Sequence, residues 1–405
     1  MVYLSDKLKR QLLFVMTALV LLTAAATDIN ISSLPQMVSD FHSTPATVNM
    51  TISVYNLGIA FGVLFVGEIS NRFGRRKVSL YGVACFVIAS FVIVFTPSIY
   101  AIIFLRLLQA FGTAVVMIVS RLILKDCMDE RDQIRSNGIL LIGLMISPAI
   151  APILGAYLAK YFGWRSCFTF SGVVGLALLS YCWKILPETN VSPLPKFSNL
   201  TSYVTQYKNI MQSRMFWVLT IIYTAGFGTY FAFIGVSSYL YINHWHFAPT
   251  SYSYLYIGLA AAYFVGNTWM MHMNKQHKTP QQMIAVGIYS TMIGAIIMLT
   301  PTFFNQHLFL VFMVTIGVLF MRVANAIINP IVQVRLMNHF QQQGANALGL
   351  NISISFIAAS FAIWLVTLFP VFPLASLVVV SLIFSLISVI IYISNVKQIM
   401  QYFCR

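Results

Sequence analysis

Residues 11–36 read QLLFVMTALVLLTAAATDINISSLPQ, and this stretch decides the class of fold. Its apolar run is long enough to cross a hydrocarbon layer of about 30 Å at about 1.5 Å per residue. It is too long, and is followed by too many residues before a polar turn, to read as a cleaved signal peptide, so it is expected to remain as a membrane span. It also holds a carboxylate, Asp28, which a span tolerates only when it faces a cavity or a partner.

Working outward, similar runs recur to the end of the chain. Of 405 residues, 59% are hydrophobic and 8% charged, with a mean hydropathy of +0.83, whereas soluble domains carry about 25% charged residues. Twelve spans are expected, near 11–36, 47–69, 77–95, 99–124, 137–161, 165–187, 214–243, 250–273, 281–301, 306–333, 345–370 and 371–395. The longest polar interval, 188–213 with Pro193 and Pro195, separates six spans from six. The fold expected is therefore an all-α membrane protein of twelve transmembrane helices in two six-helix bundles, 1–187 and 214–405, joined by a cytoplasmic linker over 188–213. Such an arrangement suits a transporter whose halves move as bodies about a site at midplane depth.

Charge placement gives orientation. Twenty of the 24 basic residues fall on one side of these spans, with clusters at Lys7–Lys9–Arg10, Arg72–Arg75–Arg76–Lys77 and Arg121–Lys125–Arg131–Arg135. By the positive-inside rule both termini are cytoplasmic, in a bacterial inner membrane. The net charge of +15 is then membrane-surface chemistry, and a nucleic-acid partner is not expected. Cys85, Cys127, Cys167, Cys182 and Cys404 form no CxxC pair, and His244 with His246 is weak metal spacing, so no metal or other cofactor is expected. No nucleophile–base pair or metal cluster at useful spacing supports an enzyme.

Three charges fall inside spans. Only nine acidic residues exist, none beyond Glu188, and Asp28 alone lies well inside a span. A low-dielectric setting disfavours the charged form of a carboxylate, which is what a group that loads and releases protons requires. The competing reading is a structural Asp at a helix break near Asn30, Ser32, Ser33 and Pro35. Arg106 in span four and Arg322 in span ten keep their charge, so each needs carbonyls, water, a carboxylate or an anionic ligand. Arg106 is read as hydrogen-bonding span-one carbonyls beside Asp28, and Arg322 as meeting an acidic group on the substrate, with a structural role as the alternative for each. Tyr55 and Asn56 in span two, with Tyr223, Tyr230, Phe231, Phe233 and Tyr239 in span seven, offer apolar faces with polar tips for amphiphilic ligands, or ordinary packing.

Several motifs then resemble one family across almost the whole chain. Thr27-Asp28-Ile29-Asn30 with Leu34-Pro35 is similar to an "xDxYLPAxP" segment, and Gly67-Glu68-Ile69-Ser70-Asn71-Arg72-Phe73-Gly74-Arg75-Arg76-Lys77 to the signature loop "GPLSDRFGRRP". Arg106, Gln109 and Gly112 resemble "RxxQGxG", with Ala110 and Phe111 between glutamine and glycine, and Pro148, Pro152 and Gly155 resemble an antiporter motif. The family is the major facilitator superfamily, specifically its twelve-helix drug:proton antiporters of the bicyclomycin-resistance/CflA type. The resemblance implies proton coupling at Asp28 and gating by Gly67, Glu68, Asn71, Arg72, Gly74, Arg75 and Arg76. The loop's usual Asp is Asn71 here, and Glu68 replaces a proline one turn earlier, where it can supply the missing negative charge. Gly67 and Gly74 are read as permitting close helix approach and a tight turn.

The function expected is a proton-coupled secondary transporter that exports drug-like or amphiphilic molecules as a monomer, with protons as the coupling ion. The alternatives are an exporter or importer of an endogenous carboxylate or siderophore, suggested by Arg322, and a non-transporting membrane sensor or scaffold.

Overall fold

A computed structural model describes residues 5–128, 130–190, 200–300, 307–340, 343–368 and 372–403; Cys404 and the prolines at 193 and 195 lie outside them. The chain divides into two compact units, Met1–Leu200 and Thr201–Arg405. Among the described residues every regular element is helical.

The first unit comprises α1 (Asp6–Asp28), α2 (Leu34–Asp40), α3 (Pro45–Phe73), α4 (Arg75–Phe95), α5 (Ile99–Cys127), α6 (Glu130–Phe162) and α7 (Arg165–Ile185). The first span is thus two helices, joined by a 3-10 turn over Ile31–Ser33. Start signals fit the sequence: Ser5 accepts the Leu8 N–H, and Thr44 precedes Pro45 and accepts the Thr47 N–H. Small residues let α3 and α5 lie close, since a Cβ on Gly58 or Gly62 would meet Ala110 or Ala114. Helix α5 also packs on α4, and α1 packs on α5, α6 and α7.

The second unit begins with α8 (Leu200–Met211), then α9 (Arg214–Ser238), a π-helical turn (Tyr239–His244), α10 (Pro249–Ser253), α11 (Leu255–Lys275), α12 (Pro280–Leu299), α13 (His307–His339), α14 (Gly344–Thr367) and α15 (Pro373–Phe403). Helix α9 is its centre, bordered by α13, α14 and α15, with α11 and α12 against α13.

One difference from the sequence reading has a physical cause. Ten helices among the described residues are long and apolar enough to cross a membrane; α11 is not among them. Helix α11 carries Asn267, His272, Asn274 and Lys275. The interval 188–213 carries structure at both its described ends. Its first residues bond back to the first unit, and Leu200–Met211 is a helix whose Gln206 accepts from Asn346 Nδ2 at 2.9 Å. Exposed apolar side chains such as Phe14, Tyr81, Phe95, Phe264 and Ile393 run along the spans, as a lipid-facing surface requires.

Candidate functional site

Helix α1 ends at Asp28 because its hydrogen-bond ladder is diverted there. Asn30 N–H turns to Thr27 O at 3.3 Å, and the Asn30 side chain caps Ala26 O at 3.0 Å. Ser33 Oγ donates to Asn30 O at 2.9 Å, and Pro35 sits in the first turn of α2. Asp28 is half-buried at a carbonyl end, where the helix dipole opposes negative charge. Its Oδ2 accepts from Ser147 Oγ of α6 at 2.9 Å. The antiporter-motif segment of α6 lies against this break: a Cβ on Gly155 would overlap the Ile29 carbonyl, and Ser32 Oγ donates to Pro152 O at 3.3 Å. Pro148, within α6, directly follows Ser147. Beneath them Ile29, Ala151 and Cys167 form an apolar cluster.

Arg106 stands beside the same break. It is 1% exposed, and its Nη1 donates to Ala26 O at 3.1 Å and to Gln109 Oε1 at 2.8 Å. The hydrogen bond to a span-one carbonyl is the one the sequence reading expects. The guanidinium lies over the rings of Tyr55 (4.8 Å) and Phe168 (5.1 Å). Gln109 Nε2 donates in turn to Ser90 Oγ at 2.7 Å. Tyr55 therefore belongs to this cluster, its hydroxyl 3.0 Å from Thr23 O and 2.7 Å from Thr113 Oγ1. Asn56 is also buried, and its Nδ2 has no acceptor among the described residues.

The other aromatic candidates lie in the second unit. Arg322 of α13 sits 3.9 Å from the Tyr230 ring centroid and 4.9 Å from that of Tyr263, which sequence reasoning missed. Its Nε is buried with no hydrogen-bond partner among the described residues, as are both the Nδ2 and the Oδ1 of Asn325. Phe233 is buried edge-on to Tyr241, 6.3 Å between centroids, and Tyr239 is buried in the π-helical turn. Ser237, Tyr252 and Tyr256 form a hydroxyl chain with steps of 2.6 and 3.0 Å. The polar positions 322, 325 and 329 on one face of an otherwise apolar helix were the available signal for Asn325.

The loop residues gather at the junction of α3 and α4. Gly74 has φ +93°, which favours glycine, and the Glu188 carboxylate lies against it. Glu188 accepts the backbone N–H groups of Arg75 (2.8 Å) and Arg76 (3.2 Å), so it caps α4. Arg75 Nε pairs with Asp126 Oδ2 at 3.1 Å and its Nη1 bonds Ser70. Arg76 Nη2 donates to Trp183 O, Asn190 Nδ2 to Asn71 O, and Arg72 lies over the Phe73 ring. The carboxylates that hold the loop through these bonds are Asp126 and Glu188; Glu68 is half-buried on the last turns of α3. Gly67 differs from one expectation: among the described residues nothing lies within 4 Å of where its Cβ would be, and it makes no close approach to them.

The Major Facilitator Superfamily model matches residues 13–363. A transporter of Rickettsia bellii, uncharacterized, is 30% identical over 65% of this chain and 65% of its own length. A chloramphenicol resistance protein of Pseudomonas aeruginosa is 28% identical over 69% of this chain and, again, 65% of its own length, so the chain spans about two thirds of each. A crystal structure of a D-xylose–proton symporter superposes with a TM-score of 0.69 at 16% identity, over 93% of this chain and 96% of that one, which is a likeness of fold. A broken first span, a glycine-turned basic loop and a proline-bearing α6 sit within a family match over most of the chain, and the chain belongs to the Major Facilitator Superfamily.

Proposed function

We propose that the chain is a proton-coupled antiporter, a monomer of twelve spans in two six-helix bundles, that exports drug-like or amphiphilic molecules from a bacterial cytoplasm by alternating access. Both termini are cytoplasmic in this reading, and no cofactor beyond the coupling proton takes part. The relative named for chloramphenicol resistance and the fold neighbour named as a proton symporter support it.

The observation that carries it is the Asp28–Ser147 contact at the broken end of α1. A hydroxyl both donates and accepts, so Ser147 can serve an ionised Asp28 as donor and a protonated one as acceptor. Proton occupancy thereby reverses the polarity of one bond between α1 and α6. The Gly155–Ile29 approach and the Ser32–Pro152 bond link that change to the proline-bearing part of α6. Arg106 holds the end of α1 through Ala26 O and is a positioning residue.

The test is substrate-induced proton movement in proteoliposomes, with a lipophilic cation, a neutral drug and a polycarboxylate presented to the parent and to Asp28→Asn. The parent should release protons with at least one of them, and Asp28→Asn should lose the response at least about tenfold, the scale expected when a proton-transfer group is removed. Undiminished uphill transport by a folded Asp28→Asn protein would sink the assignment.

A further inference from the structure

We infer that the C-terminal unit binds a planar aromatic anion, its charge held by Arg322 and Asn325 and its ring seated among Tyr230 and Tyr263. This rests on the transporter reading and names its substrate class.

Four observations converge. Arg322 lies near the middle of the 33-residue α13, and from the middle of a hydrocarbon layer about 30 Å thick a lipid headgroup is about 15 Å away, beyond the reach of an arginine side chain. No acidic residue follows Glu188 in the sequence, so nothing within this unit can neutralise the guanidinium. Its neighbours are two aromatic faces, Tyr230 and Tyr263, which shelter a cation without taking its hydrogen bonds. The Arg322 Nε–H and the Asn325 Nδ2–H are buried donors with no acceptor among the described residues; Asn325 is only 1% exposed, and its Oδ1 and that of Asn329 are acceptors with no donor there.

Buried unmatched donors are costly to keep, and a single kind of guest relieves both. A carboxylate or similar oxyanion accepts from a guanidinium fork and from an amide N–H together, with a charge the site lacks. Residues 322, 325 and 329 are at i, i+3 and i+7, so they present these groups along one face of α13. Gly226 of α9 makes room there, since a Cβ on it would meet Asn325 Oδ1 at 2.5 Å. The tyrosine rings favour a flat, apolar body on the anion. A cationic guest would meet an uncompensated like charge.

Three probes share one ring system and differ only in charge: naphthalene-1-carboxylate, naphthalene-1-carboxamide and 1-naphthylmethylammonium. Binding to the full chain in lipid nanodiscs at neutral pH should favour the carboxylate over the carboxamide by at least about tenfold, and over the ammonium by more. Arg322→Gln should level the carboxylate and carboxamide, and Arg322→Lys should keep part of the preference. If Arg322→Gln does not fold, the parent's own ranking decides. Carboxamide or ammonium binding as tightly as the carboxylate, absence of carboxylate binding, or an unchanged ranking in folded Arg322→Gln overturns the inference. Asp28→Asn should retain the ranking. Loss of proton coupling with the ranking intact separates the two readings, and proton release driven only by cations, with no preference among the probes, would retain the coupling and discard this site.

Discussion

Both units carry an arginine inside a membrane span, and the two are housed differently. Arg106 is tied to the first unit by hydrogen bonds to Ala26 O and Gln109 Oε1 and is flanked by Tyr55 and Phe168. Arg322 has the flanking rings, Tyr230 and Tyr263, while its Nε and the nearby Asn325 amide are left unmatched among the described residues. The same contrast holds for charge: all nine acidic residues precede the second unit. A cation supplied with its acceptors does structural work. One supplied only with rings leaves its hydrogen bonds for something that comes and goes.

The largest effect expected from this contrast is on stability. Arg106→Leu removes the donor to two buried oxygens and should destabilise the protein by roughly 2–4 kcal/mol. Arg322→Leu should change stability by about 1 kcal/mol or less, in either direction, because it loses ring contacts while removing a half-buried charge from the span. Thermal unfolding of the two variants in the same detergent measures both. Equal losses would erase the distinction.

How far this contrast was visible in the sequence varies residue by residue. Asp28 stood out because no other carboxylate lies well inside an apolar run, and the break after it is written in Asn30, the serines and Pro35. Helix-forming apolar length placed most spans, but α11 carries enough polar residues to fall short of that criterion. Tyr55 read as a ligand-facing ring because its hydroxyl partners, Thr23 and Thr113, are 32 and 58 residues away and meet it only in three dimensions. Glu188 likewise gives no sign in the sequence that it caps α4, from 113 residues beyond Arg75. Gly67 matched a motif and yet meets open space, since a motif records a residue type and not its neighbours. The Asn325 position was legible as helical spacing from Arg322, though its lack of partners was not.

A paired glycine test refines the contrast at smaller cost. In Gly155→Ala the new methyl meets a main-chain carbonyl, that of Ile29, and α6 must move away from the end of α1. In Gly226→Ala it meets the end of the Asn325 side chain, which can turn aside. Gly155→Ala should therefore cost roughly 1–3 kcal/mol and disturb proton coupling, and Gly226→Ala about 1 kcal/mol or less. The second variant should instead weaken binding of naphthalene-1-carboxylate. If Gly226→Ala proves the more damaging to unfolding temperature, the second unit is as tightly fixed as the first.

The smallest effect concerns the carboxylates that only the first unit has. Glu188 places a full negative charge at the start of α4 and accepts the Arg75 and Arg76 N–H groups with separate oxygens, while Arg75 turns its side chain to Asp126. Glu188→Gln keeps the shape, but one oxygen becomes an NH2 group facing an N–H, and the interaction with the helix N-terminus loses its charge. The expected cost is about 1 kcal/mol. Amide hydrogen exchange at residues 75 and 76 should accelerate about fivefold, with Arg214 and its neighbours in the second unit unchanged. Acceleration in both units alike would mean that the loop's carboxylates support the whole chain, whereas a change confined to the start of α4 keeps the fixed charge network a property of the first unit alone.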